Sequence, residues 1–175
     1  MSIQKVPGIL LFALCFITAT AVSARAETVS YPEKNPLFTV EVPAGWKAKH
    51  ENGAITIAAE ANAVVLLQHV DNVKDESAAK AAVPQLADLQ GKQFNMQGVR
   101  IAVPARATQV GDFKGFMIDG RGTDRAGNDT LWQVMIFAAK DDDYYVVTCL
   151  WTNDDAEKTA ADRAEIFKSL KAATS

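Results

Sequence analysis

The sequence predicts an α+β domain: one antiparallel β-sheet covered by helices on both faces, an α/β/α sandwich. Leu131–Ala139 and Tyr144–Trp151 are apolar on both of their alternating faces, which is typical of strands that are buried on both sides. Only Lys140–Asp143 connects them, and parallel strands need crossovers of a dozen or more residues. The two strands therefore pair antiparallel, and each face of the sheet needs a cover. Two helical segments flank this strand group and are the predicted covers.

The first group of strands follows from alternating apolar residues and turn residues. Glu27–Pro36 contains two prolines and is predicted to be an extended arm. In Glu51-Asn52-Gly53, the Asn-Gly pair suits the positive φ of a hairpin turn. The strands predicted in this group are Leu37–Val42, Trp46–His50, Ala54–Ala59 and Ala63–Val70.

A helix is predicted to begin near Asp75 or Ser77, because both residue types are good N-caps. Pro84 is expected to kink this helix or to start a second turn of it. Its predicted apolar stripe is Val83, Leu86 and Leu89, and its predicted end is Gly91.

The second group of strands leads into a C-terminal helix. Pro104 places the first of these strands at an edge of the sheet or breaks it, since proline cannot donate to the ladder. The predicted strands are Val99–Gln109, Phe116–Thr123, Thr130–Ala139 and Tyr144–Thr152. Asp154 or Asp155 is expected to cap the final helix. Its predicted buried stripe is Ala156, Ala160, Ala164, Phe167 and Leu170, at helical spacing.

The first 26 residues differ from the rest and are predicted to be a cleavable signal peptide. Lys5 provides a positive start, Gly8–Val22 is a mostly apolar run, and Ala24-Arg25-Ala26 is an A-x-A cleavage site. The run is shorter than the roughly 20 residues that span a bilayer, so no permanent membrane anchor is expected after cleavage. The prediction is a periplasmic protein in which residues 27–175 form a single domain.

Removal of this leader changes the charge and the cysteine count. The leader contains two cations and no acid, so the formal net charge moves from -3 to -5. An acidic chain argues against nucleic acid and anionic lipid as partners. Cys15 leaves with the leader, so Cys149 stands alone and no internal disulfide is expected.

The order of elements and several short motifs resemble the PsbP/DcrB-like superfamily. These motifs are the opening Phe38–Val42 strand with its Pro43-Ala44-Gly45-Trp46 turn, the Tyr144–Leu150 strand and the Phe167-Lys168-Ser169-Leu170 step. The resemblance covers nearly all of Leu37–Lys171. It implies an antiparallel sheet between helical layers and a mostly non-enzymatic class of assembly, binding and chaperone proteins. The superfamily has no shared catalytic motif, so the resemblance assigns no functional residue.

Few residues are candidates for a site. Lys114, Arg121 and Arg125 form a modestly basic region across a predicted hairpin and are the candidate partner surface. Cys149 is a candidate free thiol, although its apolar neighbours favour a buried role. His50 and His69 lie on neighbouring predicted strands, and Asp141–Asp143 is an acidic turn.

No nucleophile–base motif, zinc spacing or cofactor motif occurs in the sequence, so neither an enzyme nor a cofactor is predicted. The first hypothesis is a non-enzymatic domain that binds another envelope protein. The alternative is a periplasmic small-ligand or metal-binding protein that uses His50, His69 or the acidic turn.

We expect mass spectrometry of the exported protein to find Glu27 at its N-terminus, because signal peptidase cleaves after an A-x-A site. An intact Met1 in the membrane fraction would contradict the predicted cleavage.

Overall fold

A computed structural model describes residues 26–60, 62–140 and 143–173. Residues 1–25 of the predicted signal peptide and Asp141 and Asp142 of the acidic turn lie outside these residues. The described chain contains these elements in order: β1 (Glu27–Tyr31), β2 (Phe38–Val42), β3 (Trp46–Glu51), β4 (Ala54–Ala59), β5 (Ala63–His69), α1 (Glu76–Gln93), β6 (Gln97–Val110), β7 (Phe113–Thr123), β8 (Asp129–Lys140), β9 (Asp143–Thr152), α2 (Ala156–Lys168) and β10 (Lys171–Ala172). Among these residues, neither helix combines the length and apolar character needed to cross a bilayer.

The core of the fold is a seven-stranded antiparallel sheet with the strand order β3-β4-β5-β9-β8-β7-β6. The predicted antiparallel pairing of β8 and β9 is confirmed, with Trp132 opposite Leu150 and Gln133 opposite Cys149. β6 is an edge strand whose register with β7 shifts on either side of Val103. This matches the edge position that Pro104 predicts.

Helix α1 covers one face of this sheet and packs mainly on β6, β7 and β8. Its N-cap is Asp75, whose Oδ1 accepts a hydrogen bond from the Ala78 amide at 2.7 Å. The predicted stripe is only partly correct: Leu89 is 56% exposed, and the helix continues past Gly91 to Gln93. The residues that α1 buries are Ala79, Val83, Leu86, Ala87, Gln90 and Gly91.

The opposite face has a different cover from the one predicted. A three-stranded antiparallel sheet, in the order β1-β2-β10, packs on it together with α2. The predicted extended arm forms strand β1, which pairs with β2 along its whole length. The two covers are therefore a helix on one face and a small sheet plus a helix on the other.

Phe38 joins the small sheet to the large one. Its ring is fully buried and lies 5.2 to 6.0 Å, between centroids, from the rings of Phe113, Phe137 and Tyr145 of the large sheet. Edge-to-face contacts of this kind stabilise aromatic clusters beyond the area they bury. β2 alternates buried and half-buried residues because one of its faces points into this cluster.

Helix α2 docks through a face that matches the predicted stripe only in part: Ala156 and Phe167 pack against the core, and Leu170, just after the helix, is fully buried. The helix residues buried against the sheet are Thr159 and Ile166, whereas Ala160 and Ala164 of the predicted stripe are exposed. The guanidinium of Arg163 lies 3.7 Å from the Trp151 ring centroid. Thr159, Arg163 and Ile166 therefore form a contact face rotated by about one residue from Ala160 and Ala164 of the predicted stripe.

A double substitution tests the packing of α1 on β6. A Cβ added at Gly91 would lie 2.8 Å from Cγ2 of Val99, so we expect Gly91→Ala to lower the free energy of unfolding by about 1 kcal/mol. In a Val99→Ala background the clash disappears, and the higher helix propensity of alanine should make the same substitution stabilising. Urea unfolding of the four proteins measures both effects. The same sign in both backgrounds would contradict this packing.

Candidate functional site

An open groove lies on the α1 side of the sheet, where the N-terminal end of the helix leaves the strands uncovered. Its volume is about 600 Å³, which is within the range of binding sites for side chains and small ligands. Its floor is apolar and its rim is polar. The groove, called here the α1 groove, is lined by Asp75, Glu76, Ala107, Thr108, Gln109, Lys114, Gly115, Phe116, Ile136, Ala138 and Tyr144.

The rim of the α1 groove carries opposite charges on its two sides. Asp75 uses its carboxylate to cap the helix, and the exposed Glu76 next to it makes no ion pair with any described residue. Lys114, on β7, is exposed at another part of the rim. The arrangement suits an apolar side chain seated on the floor and flanked by groups that complement these charges.

A second polar cluster lies at the C-terminal end of β5, on the opposite face of the sheet from the α1 groove. His69 Nε2 is 2.6 Å from Oδ1 of Asp143, and its Nδ1 is 3.2 Å from Oδ1 of Asp71. The Tyr145 hydroxyl donates to Oδ2 of Asp143 at 2.7 Å, and burial, followed by this hydrogen bond, raises the pKa of Tyr145. The cluster orders the start of β9, because one carboxylate holds both side chains.

His50 and His69 do not form a shared ligand pair in the structure. Strand β4 lies between their strands, and both ring nitrogens of His69 already contact carboxylates. Within the described residues, no group of three or more His, Cys, Asp or Glu side chains is placed to hold a metal ion. Of the acidic turn, only Asp143 lies in the described chain, and it belongs to the His69 cluster.

Cys149 is completely buried on β9. Burial raises the pKa of its thiol to about 12, although the Arg163 guanidinium beside it acts in the opposite direction. The sequence showed no cation near this cysteine, because Arg163 comes from α2 and reaches it only in the folded chain. The thiol is therefore neutral and shielded, as its apolar neighbours predict.

The three predicted surface cations do not share one surface. Lys114 and Arg121 are seven residues apart on β7, about 23 Å along the strand, and odd spacing places them on opposite faces. Lys114 lies at the α1 groove, and Arg121 lines a different pocket on the other face. Arg125 is exposed in the turn after β7, whose geometry Asp124 sets by accepting hydrogen bonds from Ala126 and Asn128.

Sequence reasoning missed the floor of the α1 groove and the cation opposite Arg121. Phe116, Ile136 and Tyr144 were identified as strand residues, but whether they line a groove depends on where α1 begins. Arg100 lies directly opposite Arg121 in the β6–β7 pairing. Counting residues back from the hairpin turn does not predict this pair, because the register shifts several times along β6.

The fold matches solved structures, whereas no family model and no curated protein sequence matches the chain. The PsbP protein CyanoP of Synechocystis sp. PCC 6803 aligns over 89% of this chain and 96% of its own, with a TM-score of 0.58 and 10% identity. LpqN of Mycobacterium tuberculosis, described as involved in cell envelope biogenesis, aligns over 85% of this chain and 92% of its own, with a TM-score of 0.52 and 14% identity.

A Bacteroides thetaiotaomicron protein aligns over 79% of this chain but only 46% of its own, with a TM-score of 0.51 and 12% identity, so this chain spans less than half of that protein. At these identities the likeness shows the fold alone. The chain has a PsbP-like fold, which is the fold that the sequence motifs indicated.

The buried thiol predicts how stability depends on pH. The unfolded thiol ionises near its ordinary pKa of about 9, whereas the folded thiol stays protonated to about 12. The folded pKa is the higher one, so this contribution to stability is complete below pH 9 and is lost as the pH rises towards 12. We expect the free energy of unfolding to fall over this window, by at most about 1.4 kcal/mol per pH unit for this proton.

Urea unfolding at pH 8 to 11 measures this slope, and Cys149→Ala should reduce it by the share of this proton. Tyr31 and Tyr145, whose pKa values folding also raises, keep a slope of the same sign near pH 10 and above. In a Cys15→Ser background, where Cys149 is the sole thiol, the native protein should resist a thiol reagent at pH 8 and react after unfolding. An added Ala102→Cys, on the exposed surface of β6, is the control that should react without unfolding. Rapid labelling of native Cys149 would contradict its burial.

Proposed function

We propose that the chain is an exported, non-enzymatic binding domain that recognises another protein of the cell envelope through the α1 groove. The observation that carries the proposal is the groove itself. It has a volume of about 600 Å³, an apolar floor, and a rim with unpaired charges of both signs. Protein interfaces typically seat an apolar or aromatic anchor in such a depression and surround it with polar contacts.

The groove also indicates the chemistry of the partner segment. An apolar side chain fits the floor formed by Phe116, Ile136 and Tyr144. A basic group on the same segment would complement Glu76, and an acidic group would complement Lys114. Export is supported by the leader features of the sequence: a positive start, an apolar run and an A-x-A site.

The alternative function, a periplasmic protein that binds a small ligand or a metal ion, has less support among the described residues. His50 and His69 are on strands separated by β4, and the carboxylates around His69 are engaged with it and with Tyr145. The α1 groove is open and mostly apolar, which suits a protein side chain better than a polar small molecule.

Site-specific crosslinking in intact cells tests the proposed partner site. A photo-crosslinking amino acid at Gln109, on the exposed rim of the groove, should give a discrete adduct with a second protein. Ala107→Trp should reduce this adduct at least tenfold, because the indole would fill the groove from an exposed position on β6.

Ala102→Trp is the matched control, since Ala102 is exposed on the same strand and does not line the groove. It should leave the adduct unchanged. The proposal fails if no adduct forms at Gln109, or if both tryptophan variants lower it equally while thermal unfolding shows that both are folded.

A further inference from the structure

Two arginines face each other across the β6–β7 pair. Arg100 and Arg121 are direct partners in the register, so their side chains leave the sheet on the same face with Cβ atoms about 5 Å apart. Like charges in this position destabilise a sheet. Both side chains are exposed, and no carboxylate of the described chain lies within ion-pair distance of either.

The nearest acidic residue along β7 does not compensate them. Asp119 shares the face of Arg121, two residues away, but its Oδ2 is 2.6 Å from Nη1 of Arg106. Asp119 is therefore already paired with Arg106, and it does not neutralise the positive charge of Arg100 and Arg121. This local charge stands out in a chain whose formal net charge is -3.

Arg100 and Arg121 both line a pocket of about 310 Å³ where β6 begins and β7 ends. Gln97 and Asn153, which carry neutral amide donors, also line it, as does Thr123, whose hydroxyl donates to the backbone carbonyl of Gln97 at 3.4 Å. Asp129 lines it as well and is the carboxylate that a bound anion would have to avoid. The described pocket thus combines two forked cationic donors with neutral donors, on the opposite face of β7 from the α1 groove.

We propose that this pocket binds an oxyanion, a carboxylate or a phosphate group, between Arg100 and Arg121. A guanidinium presents paired N–H donors that match the two oxygens of such a group. One anion between the arginines replaces their mutual repulsion with two charge-assisted contacts. The site is separate from the α1 groove, so it is independent of the partner recognition proposed above.

Titration of the purified protein with inorganic phosphate at constant ionic strength tests the site by NMR. We expect saturable shifts of the Gly98 and Gly122 amides and of the side-chain N–H signals of Arg100 and Arg121. Arg100→Gln and Arg121→Gln should each weaken the apparent affinity at least tenfold. Arg125→Gln removes an exposed cation from the adjacent turn and should leave the affinity unchanged.

A parallel titration with glutamate distinguishes the source of the oxyanion. Saturation by phosphate alone assigns a phosphate group, saturation by glutamate alone assigns a carboxylate, and saturation by both assigns the shared chemistry. Without added anion, Arg121→Gln should unfold at a temperature no lower than the wild type, because one of two repelling charges is gone. Non-saturable shifts with both anions, or equal losses in the Arg125→Gln control, would overturn the proposal.

Discussion

Burial of β8 and β9 on both faces is the constraint on which the rest of the structure depends. The two strands pair at the middle of the seven-stranded sheet, and nearly every side chain between Thr130 and Phe137 and between Tyr144 and Thr152 is withdrawn from water. Apolar area on two opposite faces is stable only if each face has its own cover. The helix α1 on one face and the β1-β2-β10 sheet with α2 on the other meet this requirement.

Neither cover extends over the whole of the large sheet. The candidate binding surfaces lie where each cover stops. The α1 groove opens where the helix begins, so that the floor around Phe116 is reached from one side. On the other face, Met117 is buried in the core that the large sheet shares with the small sheet and α2, but Arg121, four residues along the same strand, is exposed. One strand, β7, thus contributes to both surfaces. Because its successive side chains point to opposite faces of the sheet, the two surfaces lie on opposite faces.

Elements governed by local chemistry were predicted well from the sequence. Asp75 caps α1, Pro104 lies on an edge strand, and the Asn-Gly hairpin joins β3 and β4. Elements that depend on partners distant in the sequence were not predicted. β1 needs β2 to become a strand, and α2 turns Arg163 rather than Ala160 and Ala164 towards the sheet, where its guanidinium stacks on the Trp151 ring.

The sequence by itself determined the antiparallel pairing of the two central strands, because a connection as short as Lys140–Asp143 permits no other arrangement. It also determined that both of their faces are buried, since both alternating sets of residues are apolar. Only the tertiary structure decided that Arg100 lies opposite Arg121 and that Lys114 lies on the other face. Register across irregular strands and the extent of each cover arise from contacts between distant segments, which local patterns do not encode.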